Sequence, residues 1–144
     1  MSGVSVIRAL LAAYAPVTAV VPATRIMAGV LPLATAMPAI AVTQVSSRPF
    51  NLLRTNEPNK LHTDRVQVTV LCKGTQGTPV GAGYPGVKAL LRLVLAACPS
   101  QRGTVNGVAV DSITPDIEGP DLYDDAADLH SCSRDFLVKW IAPS

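Results

Sequence analysis

The apolar positions of this chain change period several times, and each change marks an element. Near the start, Ile7, Leu10, Leu11 and Tyr14 follow the i, i+3, i+4, i+7 spacing of one helix face. Ser2 or Ser5 can cap this helix, and Pro16 stops it. A short second turn over residues 17–21 ends at Pro22, and residues 25–30 read as a short strand. After a connection with two prolines, residues 39–47 are β-branched or small and predict a strand. Residues 64–73 alternate most cleanly: Val66, Val68, Val70 and Cys72 face one way, Arg65, Gln67, Thr69 and Lys73 the other. One of those faces is expected to be core and the other wet or at an interface. Residues 84–98 return to the helical period, with Val87, Leu90, Leu91, Val94 and Cys98 on one face and Pro99 as the stop. Residues 105–113 predict a strand, and 131–141 a last one with Cys132, Phe136, Val138 and Trp140 on one face.

The polar segments between these elements complete the plan. Residues 46–62 carry Pro49, Asn51, Asn56, Pro58 and Asn59, with Ser47 and Asp64 bracketing a long β-hairpin arm over 46–63. Residues 74–83 hold four glycines and read as a flexible turn, and residues 114–128 as an acidic loop. The expected fold is a single α+β domain over residues 1–144. Its mostly antiparallel sheet carries two helices packed on one face and the long β-hairpin arm.

Composition adds one constraint. Nearly half the residues are hydrophobic, yet only six are Phe, Tyr or Trp, so the core must be built from Val, Leu, Ile and Ala. A mean hydropathy of +0.34 leaves apolar surface that an oligomer could cover.

Charge is sorted by position. Residues 1–110 hold ten Lys/Arg against Glu57 and Asp64, whereas residues 111–144 hold eight acids against Arg134 and Lys139. The two parts carry +8 and −6. Two accounts stand: complementary patches between copies of one chain, or acids decorating an exposed loop.

No catalytic motif stands out, and the expectation is a protein that is not an enzyme and carries no catalytic residue. His62 and His130 sit in loop-like contexts; Cys132 follows His130 by two residues but belongs with the core set. The carboxylates from Asp121 to Asp128 lack the calcium-loop pattern, and the glycines before the second helix lack the Gly-Lys-Ser/Thr ending of a phosphate loop. The three cysteines show no zinc spacing and read as free thiols. No metal and no cofactor is therefore expected. The basic arm could meet nucleic acid, but Phe50 is its only aromatic, and a subunit contact is at least as good a reading. Residues 26–45 are free of charge but contain Gly29, Pro32 and Pro38, which argues against a membrane span; Arg8 leaves too short an apolar run for an export signal.

The order of these pieces resembles the small tail-completion proteins of long-tailed bacteriophages, also called tail terminators or head–tail joining proteins. The likeness begins with Val6-Ile-Arg-Ala-Leu-Leu-Ala-Ala and Arg25-Ile-Met, then Pro38-Ala-Ile-Ala-Val-Thr and the central Arg65-Val-Gln-Val-Thr-Val. It continues through the glycine-rich gap and Val87-Lys-Ala-Leu-Leu-Arg-Leu-Val-Leu to Asp121-Leu-Tyr-Asp and Arg134-Asp-Phe-Leu-Val-Lys-Trp. The 46–62 arm and the 114–128 segment look individual to this chain. The resemblance implies a virion protein assembled in the host cytoplasm, forming a homo-oligomeric and commonly hexameric ring. That ring would cap the tail tube protein and join it to the neck or head-completion protein, while DNA passes through without specific binding. A different neck or connector component of the virion, or a small cytosolic α+β enzyme, are the alternatives. For the ring, head-to-tail contacts need two different patches on each subunit. Arg48, Arg54 and Lys60 on the arm and Asp121, Asp124 and Asp125 in the acidic segment are the expected pair.

Overall fold

The computed structural model describes residues 2–32, 36–49, 59–74, 83–100 and 102–143. Helix α1 (Ser2–Ala13) is followed by one short turn of helix, α2 (Ala15–Thr18), and a 3-10 turn (Ala23–Arg25). Then come β1 (Ile26–Ala28), β2 (Ala39–Pro49), β3 (Asn59–Lys73), α3 (Gly83–Ala97), β4 (Gly103–Val105), β5 (Val108–Glu118), β6 (Leu122–Asp124) and β7 (Leu129–Pro143). The fold is α+β, as the periodicities predict. Seven strands form one sheet in the order β1-β2-β3-β7-β5-β4, with β6 paired to β7. Every pair is antiparallel except β1 with β2.

The helices share one face of this sheet because the alternating apolar rows point there. Val68 and Val70 of β3, Phe136 and Val138 of β7, and Ile113 of β5 are fully buried, as are Ile7 and Leu11 of α1 and Val87, Leu90 and Val94 of α3, none of them more than 1% exposed. Each such side chain contributes about 1.5–3 kcal/mol by leaving water, so the two helices and the three central strands are held mainly by this layer. Pro16 stands in the first turn of α2, where its missing N–H costs nothing.

Three expectations need correction. First, the 105–113 strand is two strands. Asn106 and Gly107 lie at φ 50° and 78° between β4 and β5, the two left-handed residues of a tight hairpin. Second, residues 114–128 are not one acidic loop. Residues 114–118 continue β5, 122–124 form β6, and only the two short links on either side of β6 are unpaired. Long β7 supplies backbone partners across the segment, while Arg65 lies between Asp116 and Asp135 and removes part of the repulsion. Third, His62 and His130 are strand residues. His62 stacks on Trp140 with centroids 4.7 Å apart, and His130 lies against Tyr123 at 4.4 Å.

The arm has a broader base than a two-stranded hairpin. Ser46 to Pro49 pair with Arg65 to His62, and the same part of β3 pairs with β7 from Leu137 to Trp140. Its connecting residues 50–58, Arg54 among them, and residues 75–82 of the expected glycine-rich turn lie outside the described residues.

Candidate functional site at the two ends of the sheet

Strand β7 is the ruler of the molecule. At its late end, Trp140 pairs with His62, which pairs with Pro49 beside the exposed Arg48. At its early end, Leu129 pairs with Asp124 of β6. Leu129 and Trp140 are eleven residues apart on one strand, about 36 Å at about 3.3 Å per residue. The basic arm and the acidic hairpin of one copy therefore stand at opposite ends of the sheet and do not neutralise one another. Lys60 belongs to the arm end through the backbone pairing of β3 with Ala142.

The structure separates the three predicted acids. Asp121 is engaged within the chain: its Oδ1 lies 2.6 Å from Lys88 Nζ, and its Oδ2 accepts a hydrogen bond from the Tyr84 hydroxyl at 2.9 Å. Both partners stand in the first turns of α3, so Asp121 ties the acidic hairpin to that helix. The Lys88 hydrogen bond, with that of Tyr84, holds the Asp121 carboxyl below its ordinary range; in return Asp121 raises the Lys88 ammonium. Asp124 and Asp125 are exposed at the hairpin tip. Asp124 Oδ1 accepts from the Ala127 backbone at 3.3 Å and so shapes the turn. Tyr123 donates to Asp128 Oδ1 at 2.9 Å, which raises the tyrosine hydroxyl.

Further acids find bases inside the chain. Asp116 and Asp135 share Arg65, and Asp111 lies 3.7 Å from the exposed Arg102. Among the described residues, Glu118, Asp124, Asp125 and Asp128 have no Lys or Arg within ion-pair distance. The charge free to act outward is thus concentrated at the hairpin end. Around it Leu122 is 59% exposed and Tyr123 49%, an apolar element within an acidic rim.

Catalytic chemistry finds little support in the same region. Cys132 is buried, its thiol donates to the Gly119 carbonyl at 3.4 Å, and burial pushes its pKa up, away from the thiolate a nucleophile needs. Among the described residues no three His, Cys, Asp or Glu side chains converge as a metal site requires, and no helix is long and apolar enough to cross a membrane.

One organising residue escaped the sequence reading. Asp64 is 1% exposed in the core-facing row of β3. Its Oδ1 accepts from Ser47 Oγ at 2.5 Å, and its Oδ2 from the Gly3 backbone at 3.0 Å and from Trp140 Nε1 at 2.9 Å. One carboxylate therefore caps the start of α1 and clamps the base of the arm to β7.

No protein-family model and no curated protein matches the chain. Its fold matches that of a chain in the virion of a native gene transfer agent particle, with a TM-score of 0.70 and 14% identity. The match covers 96% of this chain and 94% of that one.

Proposed function

We propose that this chain is a structural virion protein of a phage-like particle, one that forms a ring closing the tail tube and joining it to the neck or head. The observation that carries the reading is the fold match to a gene transfer agent virion chain over nearly the full length of both chains. The resemblance of the ordered segments to tail-completion proteins supports the same assignment and supplies the hexamer as the expected copy number.

The disposition of charge fits a joint between two unlike bodies. In a ring whose copies stand level, every arm end points to one side and every acidic hairpin to the other. One side then carries Arg48, with Arg54 and Lys60 by sequence position; the other carries Asp124 and Asp125. These two sides are the docking surfaces for the tube and for the neck. The sheet face away from the helices carries the polar residues Thr43, Gln67, Thr69, Ser131 and Ser133 around Arg65, whose charge Asp116 and Asp135 take up, with Lys73 and Lys139 towards its two ends.

The test is the mass of the purified protein by light scattering, with electron microscopy of the same fractions. Closed rings are expected. A protein that stays monomeric at every concentration overturns the reading, and a ring that binds the head but never the tail tube assigns it to another neck position.

A further inference from the structure

Two stretches of sheet edge are open. Strand β2 is covered by β1 only at Ile40 to Val42, so from Thr43 to Pro49 its outer side has no strand partner among the described residues. On the far side, β5 is covered by β4 only from Val108 to Val110, which leaves its outer side open from Asp111 onward. The register Ser46–Arg65–Leu137–Thr114 sets the two open stretches level with one another across four strands. An open edge is a template for another strand, and proteins usually cover it or blunt it. Here β2 presents Val45, 54% exposed, and its residues from Gln44 to Pro49 are all exposed.

We infer that the β2 edge of one copy pairs with the β5 edge of the next, antiparallel, so that a single sheet runs from subunit to subunit around the assembly. Three observations select this arrangement. The four long strands β2, β3, β7 and β5 alternate in direction, so β5 runs opposite to β2. Two copies standing the same way up therefore meet as an antiparallel pair with no reorientation. Charge chooses between partners: β2 holds Arg48 and no acid, whereas β5 holds Asp111, Asp116 and Glu118 and no base. Pairing β2 with β2, or β5 with β5, sets like charges across the contact and makes a closed two-fold dimer. Pairing β2 with β5 sets opposite charges across it and leaves each copy with one free edge of each kind, which propagates until a ring closes. Pro115 lacks an N–H, so the ladder on β5 is carried by Asp111 to Thr114.

This inference rests on the ring reading and specifies its subunit contact. The experiment is backbone hydrogen exchange by mass spectrometry on dilute monomer and on assembled protein, together with the mass distribution of Val45→Glu. Assembly should slow exchange about tenfold or more in peptides covering residues 43–49 and 111–114 together. Val45→Glu, which sets an acid against the acidic β5 edge of the next copy, should keep the monomer folded by circular dichroism and abolish the ring. Rings in which both segments exchange as fast as in the monomer overturn the edge pairing while leaving the ring intact. Protection of one segment without the other also overturns it. Failure of the wild-type protein to form any ring overturns both readings.

Discussion

The Gly3 backbone nitrogen donates to Asp64 Oδ2 at 3.0 Å, and a Cβ added at Gly3 would lie 2.7 Å from Asp64 Cβ. The helix start and the carboxylate are thus in contact, and only a residue without a side chain permits it. Gly3→Ala is expected to destabilise the fold by about 1–3 kcal/mol through overpacking. Asp64→Ala removes the acceptor for Gly3, Ser47 and Trp140 at once and should cost about 3 kcal/mol or more. Urea denaturation of both variants checks the pair; wild-type stability in Asp64→Ala would show that the contacts with Gly3 and Trp140 carry no weight.

Val68 and Thr69 are neighbours on opposite faces of β3. Val68 is fully buried, and Thr69 sits on the face without helices. Val68→Asp puts a carboxylate at a fully buried position in the apolar layer under the helices, at a cost of about 4 kcal/mol or more, and should unfold the domain. Thr69→Asp should leave the monomer folded. Circular dichroism and thermal melting distinguish the two, and a folded Val68→Asp would refute the face assignment.

The cysteines predict an alkaline limit to stability. Burial pushes the Cys98 thiol up to about 12 and the Cys72 thiol up to about 11, from an ordinary value of 9.0. The folded protein keeps these protons where the unfolded chain releases them. Their contribution is whole below about pH 9 and is lost as the pH rises through 11 and 12. By pH 10.5 Cys98 alone should cost about 2 kcal/mol, and Cys98→Val should remove that part of the decline. At pH 8 all three thiols should react slowly with iodoacetamide, and rapid native labelling would contradict their burial.

Reversing Asp124 and Asp125 to Lys tests the role of the acidic hairpin. Both side chains are exposed at the end of the sheet away from Arg48, so ring mass should be unchanged while attachment to one partner fails. Native mass spectrometry and particle assembly assays report the two effects separately. Loss of the ring itself would instead support a contact between this hairpin and a neighbour's arm.

Much of the fold was legible because it follows from local period. The Val66-Val68-Val70-Cys72 alternation and the Val87-Leu90-Leu91-Val94 stripe are visible without any tertiary knowledge, and both are buried. The Asn106-Gly107 turn was legible too, since that dipeptide favours a two-residue hairpin, yet the run of valines around it masked the signal. The acidic segment was not. Carboxylates disfavour strands, and only the partners offered by β7 and the charge of Arg65 hold residues 114–118 extended. Asp64 was least legible of all. Its partners stand 61 and 76 residues away in sequence, and no spacing rule reaches across that distance. Of the candidate site, the sorting of charge was readable from composition, but the tie of Asp121 to Lys88 and Tyr84 was not, because those two lie on another element.

The strand that comes last along the chain occupies the middle of the sheet. Until β7 has left the ribosome, β3 and β5 have no shared partner, and Asp64 lacks its indole donor. Sheet formation then has to close a loop as long as the 70 residues between Val66 and Phe136, which makes it slow beside the formation of the helices. Until then β3 has an open edge on the side β7 will occupy, where another strand can add and the unfinished sheet can aggregate.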